Sequence, residues 1–291
     1  MGERNTVRLI VYSSIVIFLL ACSGGKSTVT KNQQIIEAED LLTEAIADSF
    51  WALRADTSFA NRALQAYEKL IEVEPNSITL GSKLSQAFYY KAQYLTVKSG
   101  QRDSLFMCGY DASQAILNQD SKYRNLLFST GDESMAIRGV DVQSIDALYW
   151  GMANYGQWLA TKGALVRLGQ RDLHWTTLDH IYDLDSNYYF GAYYRYKGPL
   201  LARDPATQSD TLAIRLAFEK AIEIAPDYLG NYTLMAQYYC PLTKDKNLFY
   251  QLLTTVITSQ PNPSISYYPE NIHEKRLAER LMIKAEKENW F

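Results

Sequence analysis

Two stretches of the chain carry side chains whose types and spacing could bind a small molecule. The candidates are aromatic apart from one amide and one guanidinium: Tyr149, Asn154, Trp158, Tyr189, Tyr193, Tyr194 and Arg195. Aromatic walls with a few polar groups suit an apolar solute, and Asn154 or Arg195 could orient its polar end, the arginine by a bidentate bond to a carboxylate. We therefore expect an aromatic-lined ligand cavity, in which Trp150 belongs to the core rather than to the wall.

A second chemistry, lipidation, is indicated at Cys22. Residues 1–21 have the pattern of a signal peptide, with basic residues before a short apolar run. That run is shorter than the roughly 20 residues of a membrane span, although an uncleaved anchor remains the alternative. Leu19-Leu20-Ala21-Cys22 resembles the bacterial lipobox, in which the cysteine is acylated, and residues 22–29 form a polar linker. We expect a protein tethered to a bacterial membrane by lipid, to the outer rather than the inner one.

Catalytic motifs do not stand out. The sequence contains no Gly-rich phosphate loop, no Gly-x-Ser-x-Gly elbow and no His-Glu-x2-His pair. Asp183 and Asp185 are a close acidic pair, but their neighbours are typical of a helix exit. No metal-ligand spacing occurs among the three histidines, His174, His180 and His273. We expect neither an enzyme nor a cofactor or metal.

The first group of candidate residues belongs to one helical stretch, 145–159, and we expect Tyr189, Tyr193 and Tyr194 on a following helix. Its apolar residues recur at helical spacing: Ile145, Leu148, Met152, Tyr155 and Leu159. A second row is formed by Trp150, Asn154 and Trp158. A helix with large side chains on two faces is buried on both sides, so we expect it in the middle of a helical body. Gly151 and Gly156, each costing about 1 kcal/mol relative to alanine, predict close approach of neighbouring helices.

Two segments share a pattern that is typical of the second helix of a tetratricopeptide unit. They are Ala63-x3-Tyr67-x2-Leu70-x4-Pro75 and Ile214-x3-Phe218-x2-Ala221-x4-Pro226. Weaker copies occur at Cys108–Asp120, around Trp150 and after Pro226, with an insertion expected near Ser99 to Asp103. The sequence therefore predicts an all-α, tetratricopeptide-like helical solenoid with irregular repeats over residues 30–291. A C-terminal capping helix is expected at 273–288.

Composition narrows the classes of partner. The chain has 29 basic and 32 acidic side chains and a formal net charge of −3, which argues against binding to nucleic acid. Cys108 and Cys240 lie in apolar helical patterns, so we expect both to be buried rather than joined by a disulfide.

Four segments of the chain together resemble one family. They are the leader, Tyr149-Trp150-Gly151-Met152-Ala153-Asn154-Tyr155-Gly156, Tyr188 to Arg195, and Phe218 to Asn231. The chain looks like the tetratricopeptide-repeat T component, a lipoprotein associated with TRAP transporters. This resemblance covers essentially all of the chain after the leader. It implies a periplasmic homotrimer that binds the transporter's solute-binding protein, with a pore in each protomer that admits an apolar ligand.

Two functions remain open at this point. The first is a lipid-anchored accessory subunit of a TRAP-type solute uptake system, which the resemblance implies. The second is a general cell-envelope tetratricopeptide scaffold that binds proteins or peptides. Peptide-binding arrays line their concave face with Lys, Arg and Asn, whereas the first helices here carry Tyr, Trp and Gly, so the sequence favours the first function.

Overall fold

Helices form the whole of the regular structure that the computed structural model describes, residues 42–291. Within these residues there is no strand, and an all-α fold is confirmed. The α-helices are α1 Glu44–Ala52, α2 Thr57–Val73, α3 Ile78–Tyr90, α4 Ser99–Leu117, α5 Ser121–Thr130, α6 Glu133–Ile137, α7 Ile145–Ala160, α8 Ala164–Gly169, α9 Arg171–Leu184, α10 Tyr188–Arg203, α11 Thr211–Ile224, α12 Gly230–Thr243, α13 Lys246–Thr258 and α14 Tyr268–Lys287. A π-helical segment, Lys91–Leu95, follows α3, and a 3-10 turn, Val142–Ser144, precedes α7. The predicted signal peptide and Cys22 lie outside the described residues.

Short polar side chains fix where many of these helices begin. The hydroxyl or carboxylate of the residue before the helix accepts a hydrogen bond from a backbone N–H of the first turn, which would otherwise have no partner. Residues that cap a helix in this way are Thr43, Asp56, Ser77, Asp120, Asp132, Asp210 and Asp245. Pro75 and Pro226 follow the ends of α2 and α11, as the repeat pattern predicts.

Consecutive helices pack on one another along the chain. The pairs α1 with α2, α3 with α4, α7 with α9, α10 with α11 and α12 with α13 are in contact, and each pair also contacts the next. The extra helices α5 and α6 lie in sequence between two pairs, and α8 lies within the pair α7 and α9. These additions account for the irregular repeat spacing. Residues Ser99 to Asp103, where the repeat pattern predicts an insertion, form the first turn of α4.

Helix α7 occupies the position expected of the central stretch. Its residues from Ile145 to Asn154 are buried apart from Asp146, whereas Tyr155 and Trp158 near its end are half-buried. The close approach predicted at Gly151 is confirmed, since a β-carbon there would lie 3.0 Å from Ser113 Cβ on α4. Gly156 has no such close contact, because its nearest neighbour would be His174 at an ordinary 3.4 Å.

The first residues of α10 are not helical, which corrects the expectation for Tyr189. Tyr189, Phe190 and Gly191 have φ angles of 43°, 59° and 78°, in the left-handed region that is rare for residues with side chains. Regular helix therefore runs only from Ala192 onward. At this left-handed turn the Tyr189 ring packs against Tyr149 and Trp150.

Helix α14 does more than cover the end of the array. Leu281 and Ala285 are buried in the core shared with α12 and α13, as expected for a capping helix. Its first turns, however, reach the opposite end of the described chain, where Glu270 pairs with Arg54 beyond α1 and Glu274 accepts from Tyr94 in the π-helical segment. The described helices therefore close on themselves through α14.

Both later cysteines are buried. Cys240 is a free thiol, so no disulfide joins it to Cys108. Among residues 42–291, no helix combines the length and apolarity that crossing a membrane requires.

Candidate ligand-binding cavities

A small cavity of about 40 Å³ lies where the ring of helices closes, and it is called the central cavity below. Its walls come from α3, the π-helical segment, α7, α10, α12 and α14. The aromatic wall residues are Tyr89, Tyr90, Tyr94, Tyr149, Trp150, Tyr189, Tyr196 and Tyr228. The polar wall residues with charged or amide side chains are Gln86, Gln93, Gln157, Arg195, Glu270 and Glu274.

The aromatic side of the central cavity is one connected cluster around Tyr149. The Tyr149 ring lies 4.7 Å from Trp150, 4.9 Å from Tyr189 and 5.7 Å from Tyr196, between ring centroids. Burial raises the pKa of Tyr149 and of Tyr189, so both hydroxyls are neutral at physiological pH. Trp150, which was expected to be core, is buried and also forms part of this wall.

Arg195 holds the left-handed turn in place. Its Nη1 donates to Phe190 O at 2.9 Å and to Asn231 Oδ1 at 3.3 Å, and its Nη2 donates to Tyr189 O at 3.0 Å and to the Tyr149 hydroxyl at 2.8 Å. These four bonds use every terminal N–H of the guanidinium. Arg195 therefore lines the central cavity, but in this arrangement it has no terminal donor left for a ligand carboxylate.

The charge on Arg195 is buried without a carboxylate in contact. The side chain is 3 % exposed, and no described ion pair includes it. Burial acts to lower the pKa of Arg195, but the surrounding Tyr149, Tyr228 and Tyr196 raise it, so the guanidinium stays charged. The Tyr228 ring lies 4.6 Å from the guanidinium carbon, which adds a cation–π contact.

The acidic side of the central cavity was not foreseen from the sequence. Glu274 on α14 accepts hydrogen bonds from Thr233 and from Tyr94, and its burial raises the pKa of the carboxyl above its usual value. Glu270, one turn earlier, pairs with Arg54. A signal was present, because both glutamates lie in helical register with Leu277 and Leu281 on the apolar face of α14.

A second cavity, called the apolar pocket below, adjoins the central cavity and has a volume of about 150 Å³. The two share four wall residues, Tyr89, Gln157, Tyr196 and Leu234. Most of its other walls are aliphatic or aromatic, and they come from α7, α8, α9, α10 and α12.

A third cavity, the outer pocket, has a volume of about 460 Å³. It lies between the α1 region and residues 263–269, and it shares Gln86 and Tyr189 with the central cavity. The central cavity thus lies between two wider ones. It shares Tyr89 and Tyr196 with the apolar pocket, and Gln86 and Tyr189 with the outer pocket.

The structure separates the seven candidate residues into two groups. Tyr149, Tyr189 and Arg195 come together at the central cavity. The other four do not line any of these three cavities, and their role in ligand binding stays a prediction: Asn154, Trp158, Tyr193 and Tyr194.

Local packing explains where those four side chains point. The Asn154 amide is fully buried against Gly109 and donates to Ser85 O at 3.1 Å and to Trp150 O at 2.9 Å. Trp158 stacks on Tyr155 at 5.5 Å. The Tyr193 and Tyr194 rings pack against Tyr182 on α9.

Within the described part of the chain, no group of histidine, cysteine and acidic side chains is arranged to hold a metal ion.

Comparison with curated proteins found no match. The family model of the TRAP transporter T-component matches residues 53–291, which include every helix from α2 to α14 and all three cavities except the α1 wall of the outer pocket. The chain therefore belongs to the TRAP transporter T-component family.

Proposed function

We propose that the chain is a periplasmic, lipid-anchored accessory subunit of a TRAP-type solute uptake system. In this role it docks the solute-binding protein and holds an apolar ligand in its aromatic-lined cavities. Membership of the T-component family supports the association with a TRAP transporter. The ligand and the docking step are our own additions to that assignment.

The observation that carries the ligand proposal is the position of the central cavity between two wider ones. Tyr89 and Tyr196 separate it from the apolar pocket, and Gln86 and Tyr189 separate it from the outer pocket. We propose that the three form one passage, along which an apolar ligand moves when these side chains rotate. The central cavity has mainly aromatic walls, and its Arg195, Glu270 and Glu274 already pair with protein groups. This favours such a ligand over an extended peptide, which would need rows of free amide and charged partners.

The architecture that supports this passage is, in our proposal, a tetratricopeptide-like solenoid over residues 30–291. Five successive helix pairs, from α1 with α2 to α12 with α13, correspond to the repeat units. Ala221, at a small-residue position of the pattern, is fully buried. Helix α14 covers the last pair and joins it to the first, so the concave side becomes a closed interior.

Lipid at Cys22 would tether this body to the periplasmic side of a membrane, the outer one in our proposal. Residues 22–29 provide the polar linker between the lipid and the helices. We further propose a homotrimer, as the family resemblance implies, and assign the chain no catalytic step. The general envelope scaffold is the alternative, and the aromatic walls of the central cavity argue against it.

The experiment is co-purification with the TRAP solute-binding protein encoded by a neighbouring gene, followed by calorimetry with and without its solute. We expect a saturable complex, and none with a solute-binding protein from an unrelated ABC uptake system, which serves as the control. Light scattering on the same sample reports whether the chain is trimeric. Absence of a complex under both conditions, from a protein with an intact helical spectrum, would favour the scaffold.

A further inference from the structure

The apolar pocket has walls suited to a compact hydrocarbon body. Met152, Leu159, Leu200 and Leu234 supply aliphatic surface, and Trp175 and Tyr196 supply rings. A cavity of about 150 Å³ accommodates a body the size of benzene. Because the pocket is only partly enclosed, an alkyl chain of roughly six to eight carbons fits it with one end toward the opening.

The rim of the same pocket is positively charged. Arg167, Arg171 and Arg203 all line it, and Asp204 is the one carboxylate among its lining residues. Arg171 Nε pairs with Asp204 Oδ2 at 2.7 Å, which neutralises one cation. The other two guanidinium groups each donate one described bond to a backbone carbonyl, Arg167 to Lys162 O and Arg203 to Ala160 O. Two guanidinium charges therefore face the pocket without a carboxylate partner.

A polar wall atom in the pocket also lacks a partner. His174 is 8 % exposed, its Nδ1 lies 3.1 Å from Gln170 O, and its Nε2 is buried with no hydrogen bond. Burial, and then the neighbouring Arg203, lower the pKa of His174, so the ring stays neutral and adds no third uncompensated charge. An unpaired buried acceptor is costly, and a carboxylate has no proton to donate to it, so we expect a water that accompanies the occupant to complete the site.

We propose that the apolar pocket binds an amphiphilic monoanion, with its compact apolar body against Met152 and Leu200 and its anionic head between Arg167 and Arg203. The proposal rests on the proposed ligand-binding function and specifies the chemical class of the ligand. A guanidinium presents a fork of N–H donors that matches a carboxylate, while the walls exclude water from the hydrocarbon body.

The test is isothermal titration of the purified chain, in buffer without detergent, with octanoate as the probe. We expect saturable binding at one site, and affinity that rises about fourfold for each CH2 added from butanoate to octanoate. The uncharged 1-octanol and the cationic octyltrimethylammonium should bind at least about tenfold more weakly, because they lack the charge that the rim recognises. Equal binding of all three head groups would overturn the proposal.

Two rim variants, Arg203→Gln and Arg167→Gln, identify the site. Each should weaken octanoate binding about tenfold, the loss expected for one charge-assisted contact. Arg215→Gln is the matched control, because Arg215 is exposed on α11 and pairs with Glu219 away from the pocket. It should leave the dissociation constant within about twofold. If neither rim variant changes octanoate binding while both keep the parent melting temperature, the proposal is wrong.

A filling variant provides evidence that does not depend on charge. Leu234→Trp should occupy the pocket and abolish octanoate binding with the helical spectrum unchanged, whereas undiminished binding would contradict the proposal.

Sedimentation with phosphatidylglycerol vesicles distinguishes a free amphiphile from a lipid surface. We expect no rim-dependent sedimentation, and its presence without octanoate binding would replace the pocket ligand by a membrane. If octanoate binds but no complex with the solute-binding protein forms, only the docking step of the proposed function is wrong. If the complex forms but octanoate does not bind, only this inference is wrong.

Discussion

Arg54 and Glu270 are 216 residues apart in sequence and form a two-point ion pair that joins the two ends of the described fold. Arg54 Nε donates to Glu270 Oε1 at 3.0 Å, and Arg54 Nη2 donates to Oε2 at 2.7 Å. The remaining donors of Arg54 reach Trp51 O and Ser266 O, and the Tyr90 hydroxyl donates to the backbone carbonyl of Arg54. Both side chains are nearly inaccessible to solvent, so each ionised group depends on the other.

The first prediction concerns Glu270→Gln. Removing one member of a buried ion pair leaves an uncompensated charge, so we expect a loss of about 3 kcal/mol in the free energy of unfolding, measured by urea denaturation. The double variant Arg54→Met with Glu270→Leu should recover most of this loss, because it buries no charge. Asp141→Asn is the control, since its exposed pair with Lys122 contributes less than about 1 kcal/mol. An equal effect of Asp141→Asn and Glu270→Gln would refute this account of closure.

The second prediction concerns pH. His273 stacks on Tyr94 at 5.4 Å and is almost fully buried; burial, and then Arg276, Arg280 and Arg54, lower its pKa to about 4. The unfolded chain therefore takes up this proton near pH 6.5 and the folded chain only near pH 4. Stability should consequently fall as the pH falls through that window.

His273→Phe isolates this contribution, because it keeps a ring against Tyr94 and removes the proton. Glu274 acts with the opposite sign, since its raised pKa favours the folded state at low pH, and it is present in both proteins. Denaturation midpoints measured from pH 7 to pH 4 should fall less steeply in the variant. Parallel curves for the two proteins would show that His273 does not titrate in this way.

Periodicity was sufficient to predict the all-α class and the buried position of α7. The apolar rows that include Leu148 and Trp150 report directly which faces of the helix are covered, and Gly151 marks where α4 approaches. Such patterns predict the structure correctly because they depend only on one helix and the helices packed directly against it.

Long-range contacts and backbone strain were not predictable from the same patterns. The pattern 188–195 indicates a helix, yet the bonds from Arg195 to the carbonyls of Tyr189 and Phe190 hold a left-handed turn there, and only the fold brings these groups together with Tyr149. The closure through Glu270 likewise depends on Arg54, whose partner lies at the far end of the chain. Asn154 was assigned to a ligand wall because an amide on an aromatic helix looks functional, although the close approach at Gly109 turns it into a core residue.

A third prediction concerns the seam between α10 and α11. Ala221 is fully buried, its carbonyl accepts from Asn231 at 2.9 Å, and its backbone lies beneath Gly191. Ala221→Trp should lower the free energy of unfolding by about 3 kcal/mol, since an overfilled seam forces the helices apart. Leu216→Trp on the exposed face of α11 is the control and should change the melting temperature little. Similar melting temperatures for both variants would place Ala221 outside a tight seam.

A fourth prediction concerns the anchor. Cys22→Ser removes the thiol that acylation requires, so the protein should move from the membrane pellet to the soluble fraction, with residues 42–291 folding as before. Labelling with a radioactive or alkyne-tagged fatty acid should be lost in parallel. A variant that still sediments with membranes at high salt would contradict lipidation at Cys22.

The last prediction compares two neighbouring tyrosines on α10. Tyr196 forms part of the wall between the central cavity and the apolar pocket, and its hydroxyl lies 3.5 Å from that of Tyr89. Tyr194 packs against Tyr182 and lines none of the three cavities. Tyr196→Ala should weaken octanoate binding about fivefold, the loss expected for one aromatic contact, and Tyr194→Ala should change it less than about twofold.

Trp158→Ala should behave like Tyr194→Ala, because Trp158 stacks on Tyr155 and is outside these cavities. Quenching of tryptophan fluorescence by octanoate reports all three, since Trp175 lines the apolar pocket in each variant. If Tyr194→Ala or Trp158→Ala abolished the quenching and Tyr196→Ala did not, the ligand would bind on the α9 side of the aromatic rows rather than in the passage.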